Sequence, residues 1–258
     1  MHIETKNISH DFLTASGELP VLKNLSFSVA KGAFVALVGP SGCGKSTITR
    51  LLSGLLHPKK GEVLISGQRV LNPRSSIGMA FQNPVLLEWR NVLNNIILPL
   101  EIVAKSSSLG KRKMRAQELL KLVGLTKFEM NRPSELSGGM KQRISLCRAL
   151  VHKPELLILD EPFGALDAIT RTTLQKELLR IWSETKKSIL FVTHDIEEAV
   201  YLSDRVLLIG GKPAQIIEEY NISISRKLRR EHSEFLDIVK DIRKGLQSFF
   251  GATVIPIV

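Results

Sequence analysis

The chain has little of what would make it disulfide-stapled, membrane-spanning or fibrous. Its two cysteines, Cys43 and Cys147, are too few for a disulfide framework or a zinc site. No apolar run approaches the roughly 20 residues that a spanning helix needs, and the longest, Ile96 to Ala104, is interrupted by Pro99 and Glu101. No short apolar core with a basic flank follows Met1, so no secretory leader is expected and a reducing cytoplasm fits best. Internal repeats and sustained heptads are missing too, which sets aside solenoids and long coiled coils. Acidic residues are the minority, 25 against 36 basic ones, for a net charge of +11. A surplus of that size points to a negatively charged partner, whether nucleotide, nucleic acid or membrane surface, and charge alone does not choose among them. With 43% apolar and 24% charged residues, the 258-residue chain is a globule of one large α/β domain or two small ones, not a disordered polymer.

Short apolar runs of strand length alternate with helical patterns. Ala33 to Val38 runs into a glycine turn, Leu156 to Leu159 into two acids, Ile189 to Val192 into Thr193 and His194, and Val206 to Ile209 into two glycines. Such runs read as buried parallel strands of a doubly wound sheet, whose ligands sit beyond the strands' carboxyl ends. Four shorter pieces, Ile3 to Ile8, Leu25 to Val29, Val63 to Ile65 and Ile77 to Phe81, suggest an antiparallel sheet packed beside it. From Asn83 to Pro133 helical signals take over, at Val92 to Val103 and at Lys111 to Val123 closed by Gly124, with Ser106 to Gly110 as the loop between. The basic run Lys111, Arg112, Lys113 and Arg115 reads first as a solvated helix face and second as a surface for an anion. From Ser233 onward Phe235, Val239, Ile242 and Leu246 recur at helical spacing and predict an amphipathic helix packed on its own domain.

The chemistry concentrates at Gly39-Pro-Ser-Gly-Cys-Gly-Lys-Ser46, a full match to G-x-x-x-x-G-K-[ST] between a predicted strand and the helical run Ile48 to Leu56. Gly39, Gly42 and Gly44 let the backbone wrap until successive N–H groups face inward, and a helix N-terminus adds partial positive charge. Together these cradle phosphate oxygens. Pro40, Ser41, Cys43 and Thr47 complete the loop and its exit. Lys45 would reach the β- and γ-phosphates of ATP, and Ser46 would offer its hydroxyl to Mg²⁺. The two acids ending the run Leu156 to Leu159 divide the labour: Asp160 would hold the magnesium shell and Glu161 would polarise the attacking water. Leu136-Ser-Gly-Gly-Met140 precedes a run whose members Met140, Ile144, Cys147 and Val151 share one helical face, so Ser137, Gly138 and Gly139 sit at a second helix N-terminus able to hold an anion. One nucleotide with two phosphate seats implies that the second seat closes over the nucleotide of another copy. Cys43, beside Lys45 and a helix N-terminus, is expected to be a reactive thiolate; the other reading makes it a small residue filling the turn.

These residues carry a family resemblance. The P-loop, Gln82 after Ala80-Phe81, Leu136 to Met140, Asp160 with Glu161, Ala165-Leu166-Asp167, and His194 are similar in order and spacing to the motifs of ABC-transporter ATP-binding subunits, over about residues 3 to 220. Phe81-Gln-Asn-Pro-Val-Leu-Leu-Glu-Trp-Arg90, Leu136-Ser-Gly-Gly-Met140-Lys-Gln-Arg143 and Asp160-Glu-Pro-Phe-Gly-Ala-Leu-Asp167 most resemble the nitrate, sulfonate, taurine and bicarbonate uptake group. The resemblance implies a P-loop α/β fold with a parallel core, an antiparallel β subdomain and an inserted helical subdomain at about 83–150. It implies an ATPase domain over 1–225 and a helical extension over 226–258.

The resemblance also assigns roles. Gln82 would ligate Mg²⁺ together with Ser46 and Asp160; His194 would hydrogen-bond the γ-phosphate beside the base Glu161; Asp167 would meet the opposite P-loop in a dimer. Phe12 stands where the family has a tyrosine stacked on adenine, its other reading being a sheet-core aromatic. Met140 replaces the glutamine common there. The expected protein is the ATP-hydrolysing subunit of an importer for a small anion, peripheral on the cytoplasmic face of the cell membrane. It would pair with itself or with a related ATPase subunit, dock on permease subunits near Leu86, Leu87 and Trp89, and work indirectly with a solute-binding protein. Other import substrates, such as a vitamin precursor or a lipid or lipoprotein system, stay open. An ABC ATPase acting on nucleic acid fits poorly, because the 54 residues between Gln82 and Ser137 are too few for a long coiled coil, and a small-molecule kinase would not need the second phosphate seat.

Overall fold

Two long strands open the chain. In the computed structural model, which describes residues 1–15, 17–103, 108–226 and 229–250, β1 (Ile3–Thr14) and β2 (Gly17–Val29) run antiparallel from Ile3 opposite Val29 to Thr14 opposite Gly17. The chain divides into two compact units, Met1–Arg74 with Ser188–Val258, and Ser75–Lys187. In the first, β3 (Phe34–Val38) is buried at all five positions and leads through the glycine loop into α1 (Lys45–Leu52), which buries Ile48, Leu51 and Leu52. The spacing i, i+3, i+4 puts those three on one helical face. β4 (Lys60–Ile65) pairs antiparallel with β1, and the two-residue β5 (Gln68–Arg69) with β4.

The second unit starts with β6 (Ile77–Ala80) and continues through α2 (Val92–Val103), α3 (Leu109–Leu122), α4 (Gly138–Leu150), β7 (Leu156–Asp160) and α5 (Ala168–Thr185). β6 pairs parallel with β7, Ile77 opposite Leu156 and Ala80 opposite Leu159. The sequence reading placed Ile77 to Phe81 with the antiparallel strands, and this is corrected. Gly78 inside this strand marks a close approach: a Cβ there would lie 2.2 Å from the Ala149 carbonyl oxygen, so only glycine lets α4 sit against it. Helix α3 begins earlier than expected, because Ser108 caps it by accepting from the Lys111 N–H. Of the loop expected at Ser106 to Gly110, Ser106 and Ser107 lie outside the described residues, while Leu109 and Gly110 are helical. α4 is buried well beyond one stripe, with Gln142, Ser145 and Ala149 as enclosed as Ile144 and Cys147.

The chain then completes the first unit with β8 (Ser188–Thr193), α6 (Ile196–Leu202), β9 (Arg205–Gly211), β10 (Ala214–Asn221) and α7 (Ser233–Phe250). β3 is flanked by β8 and β9, both parallel to it, as the all-apolar runs implied. β10 turns back antiparallel on β9 and touches β2 at Ala214 opposite Leu22. The amphipathic stripe of α7 is buried as its spacing requires, with Phe235, Val239, Ile242 and Leu246 all enclosed against α6, β9 and β10.

The largest fully buried side chain of the described residues is a cation, Arg229. Its guanidinium donates to the carbonyls of Val200 (3.0 Å), Tyr201 (3.1 Å) and Ser203 (2.7 Å) at the end of α6, and twice to that of Ile224 (3.0 and 2.8 Å). Burial pulls its pKa down to about 10, still far above neutrality, so the ion stays charged against the negative end of a helix dipole. Beside it, Arg226 donates to Asp204 at 2.5 Å, and Asp204 exchanges hydrogen bonds with the backbone of Phe34 at the start of β3.

Candidate functional site

The glycine loop is built for an anion. Gly42 (φ 76°) and Gly44 (φ 99°) hold left-handed backbone that glycine adopts without strain. A Cβ at Gly44 would meet Val21 Cγ1 at 2.9 Å, so the position is closed to other residues on two counts. α1 starts at this glycine with no side-chain cap and no acid in its first turn. Its leading amides and the positive end of its dipole therefore go uncovered by any side-chain cap. Lys45 is buried, its ammonium donating to the carbonyls of Gly39 (2.7 Å) and Pro40 (3.0 Å), so the loop already curls around a cation. Ser41 and Gly42 are exposed, and Ser46 is half-buried.

Cys43 departs from expectation. Its thiol is buried, 5% exposed, and lies behind the loop: a Cβ built on Gly39 would be 3.0 Å from Cys43 Sγ. The expected accessible, reactive Cys43 is corrected to an enclosed side chain. Cys147, on the helical face it shares with Ile144, is buried too, and burial pushes its thiol up to about 12.

In the same unit, His194 follows the last residue of β8 and is exposed. Its neighbours fix the turn. Asp195 caps α6 by accepting from the Glu198 N–H at 3.0 Å, Thr193 Oγ1 donates to the buried Glu198 carboxylate at 2.8 Å, and the Asp195 N–H donates to Thr193 Oγ1 at 3.0 Å. The signal for this was present in Asp195-Ile-Glu-Glu198, an acid cap with glutamate three residues on, and the sequence reading passed over it. Phe12, half-buried on β1, meets the His10 ring edge-on at 4.9 Å between centroids.

The second unit gathers the acids and Gln82. β7 ends at the buried Asp160. Glu161 follows in left-handed backbone, φ 46°, a conformation that costs a residue with a side chain about 1–3 kcal/mol. Its carbonyl accepts from the Gly164 N–H at 3.2 Å, and its Oε2 accepts from Gln82 Nε2 at 3.1 Å. The two residues thus touch directly, which their 79-residue separation did not reveal. Ser137 is the N-cap of α4, accepting from the Met140 N–H at 3.3 Å, and both Ser137 and Gly138 are exposed. Gly139 packs closely, since a Cβ there would lie 3.1 Å from Leu166 Cδ2. Asp167 caps α5 through the Thr170 N–H at 2.9 Å, and that bond holds its carboxyl below the usual range.

Three polar residues that the sequence reading missed tie the stretch around and after Gln82 in place. Gln142 of α4 donates to the Phe81 carbonyl at 3.3 Å, and Arg148 of α4 donates to the Val85 carbonyl. Buried Asn95 of α2 accepts from the Leu87 N–H at 2.8 Å and donates to the carbonyls of Leu87 (3.0 Å), Arg90 (3.0 Å) and Asn91 (3.1 Å). An asparagine amid Val92, Leu93, Ile96 and Ile97 was the available clue. The loop so held presents Trp89 and Val85 to solvent, 74% and 57% exposed, while Leu86 and Leu87 are half-buried.

Among the described residues no group of three or more His, Cys, Asp or Glu side chains forms a cation cage, and no helix is long and apolar enough to cross a membrane. Residues 22–164 match the family model described as "ABC transporter". The chain is 41% identical over 250 residues to an aliphatic sulfonates import ATP-binding protein of Bacillus cereus, covering 96% of each. It is 43% identical over 225 residues to a nitrate import ATP-binding protein of Synechococcus elongatus, covering 87% of this chain and 82% of that one. Among solved structures it is similar to a dimeric ATP-binding cassette in a post-hydrolysis state bound to ADP and Pi, with a TM-score of 0.80 and 30% identity over 86% of this chain and all of the other.

Proposed function

The chain belongs to the ABC transporter family as an ATP-hydrolysing, energy-coupling subunit, and on that premise we propose that it drives uptake of a small anionic solute by closing, as a pair, around two Mg-ATP. The observation that carries the reading is the presence of one glycine loop ahead of α1 and, separately, an exposed Ser137-capped start of α4, which together would offer more phosphate sites than one nucleotide in one chain uses. Backbone amides of Gly42 to Ser46 and the Lys45 ammonium would bind the phosphates, and Ser137 with Gly138 and Gly139 would cover the γ-phosphate from the second copy. Asp167 would reach the opposing glycine loop. Phe12 would lie against the base, a contact worth about 1–3 kcal/mol for a stacked aromatic.

The residues present fit magnesium. Ser46, Gln82 and Asp160, each with a hard oxygen of the kind magnesium prefers, are the residues that would hold it. The ion, when bound, neutralises charge developing on the transferred phosphoryl group. Glu161 would take the proton of the attacking water, and His194 would donate to the γ-phosphate. While Gln82 Nε2 donates to Glu161 Oε2 at 3.1 Å, one carboxylate oxygen is engaged. A Gln82 that turns its amide toward the metal would release it.

The held loop with exposed Trp89 and Val85 supports docking on permease helices, since apolar side chains in a tightly hydrogen-bonded loop suit a partner better than water. This peripheral attachment would place the subunit at the cytoplasmic face of the membrane, beneath permeases served by an external binding protein. Sulfonates and nitrate are the cargo named for the relatives above, and a small anion of that kind is the cargo we propose. Sedimentation of the Glu161→Gln chain with Mg-ATP tests the pairing: mass should double, and Ser137→Arg in the same background should keep it single. A double variant that still pairs would refute the two-chain arrangement. ATPase activity of the reconstituted transporter, stimulated by sulfonate- or nitrate-loaded binding protein and not by amino-acid-loaded ones, tests the cargo.

A further inference from the structure

A cavity of about 350 Å³ opens in the second unit between the start of α3 and the turn after α4. Lys111, Arg112 and Arg115 line it from α3, Lys153 lines it from the turn, and Leu100 adds an apolar wall. The one carboxylate in the lining, Glu118, is taken by Arg115 at 2.9 Å. Lys111 and Lys153 have no acidic partner within ion-pair distance among the described residues.

Two features separate this cluster from an ordinary solvated helix face. The first turn of α3 carries Lys111 and Arg112 and no acid, with Lys113 next, so cations crowd the end of a helix dipole that favours anions, and Lys111 and Arg115, four apart, repel further. Lys153, more than thirty residues away in sequence, converges on the same space from left-handed backbone, φ 54°, a strain that persists only where surrounding structure imposes it. The surplus charge is felt nearby. Lys187 is held below the usual lysine range, chiefly by burial and then by Arg115, with Lys153 adding to the effect. Cations converging on a concave, partly apolar space, at a cost to local electrostatics, are expected at functional sites.

We infer that this cavity binds a phosphate-type anion, either free or carried by a lipid headgroup, at a site separate from the nucleotide residues. Lysine and arginine donors match phosphate oxygens, the volume is in the range of small-ligand sites, and Leu100 would face the apolar part of an ester. The inference does not depend on the import reading, because its readout is local. The whole protein, saturated with Mg-ADP so that the glycine loop is filled, is acylated with an amine-reactive ester, and lysine modification is followed by peptide mass spectrometry. One arm titrates inorganic phosphate; the other compares phosphatidylglycerol with phosphatidylcholine vesicles. At phosphate about twice its dissociation constant, Lys111 and Lys153 should react about threefold more slowly, since protection follows 1 + [L]/Kd, while Lys113, on the same run and outside the lining, keeps its rate. Lys153→Asn, which tolerates the left-handed backbone, should weaken protection of Lys111 about tenfold, the loss of one charge-assisted contact; Lys113→Gln should leave it unchanged. Protection by phosphate assigns the free anion as ligand, and protection by phosphatidylglycerol alone assigns the headgroup. No protection in either arm, or equal protection of Lys113, overturns the site.

Discussion

Removing Arg229 should cost more stability than any surface charge. In Arg229→Met the apolar volume is kept and five hydrogen bonds to four carbonyls, those of Val200, Tyr201, Ser203 and Ile224, are lost. Each buried carbonyl left without its donor costs about 1–3 kcal/mol. The sum is reduced because the guanidinium's own desolvation penalty is relieved and because carbonyls at the end of α6 can recruit water. The net expectation is about 3–5 kcal/mol, the range found when one member of a buried charged arrangement is deleted. For a chain of this size that lowers Tm by about 10 °C. Urea unfolding followed by far-ultraviolet circular dichroism measures it, with a constant m value as the check that only stability has moved. Arg229→Lys should fall between, because an ammonium offers three compact donors instead of a planar fork. Arg230→Met is the control: that guanidinium is exposed and lies 3.9 Å from the Tyr201 ring centroid, a contact worth about 0.5–1 kcal/mol. If Arg229→Met costs less than about 1 kcal/mol, the carbonyls did not need this donor and the reasoning fails.

Four further outcomes are expected. Glu161→Gln should retain ATP affinity in calorimetry while phosphate release drops about 10²–10⁴-fold, the usual contribution of a positioned base; turnover within about threefold of the parent would assign the base elsewhere. Lys45→Ala should weaken Mg-ATP binding by at least about tenfold, the loss of one charge-assisted contact, and unchanged titration curves would contradict the phosphate role of the loop. Asn95→Ala orphans buried groups of Leu87, Arg90 and Asn91, so it should destabilise by about 2 kcal/mol and speed proteolysis at residues 84–91; an unchanged cleavage rate would count against the clamp. In the native protein maleimide should label neither Cys43 nor Cys147 until guanidinium is added, because both thiols are enclosed, and fast native labelling of Cys43 would reverse the correction made for it.

What could be read from the sequence was what is encoded locally. Gly39 to Ser46 announces a glycine loop because the turn, the lysine and the helix start are contiguous, and β3, β7 and β8 announce burial because every residue in them except Asp160 at the end of β7 is apolar or small. Pairing is different. β6 is four residues long, and only its partner, remote in sequence, decides that it runs parallel. Side-chain direction was equally hidden: Cys43 sits among residues that would activate a thiol, yet the loop turns its Sγ toward Gly39. Arg229 offered no pattern at all, since its partners are backbone carbonyls that every sequence possesses.

Ser137, Asp167 and Asp195 share a task beyond any contact with nucleotide: each stands just before a helix and accepts from an amide in that helix's opening turn, at Met140, Thr170 and Glu198 respectively. The exposed loops are therefore no looser than the helices they begin. An alanine at any of the three sites removes a chemical group and unravels a helix start at once, so loss of activity in such a variant has two causes that kinetics alone cannot separate. Hydrogen exchange at those three amides does separate them. Slow exchange reports an intact start whatever the rate of ATP turnover, and Asn or Thr, which can still cap, becomes the substitution that isolates chemistry from architecture.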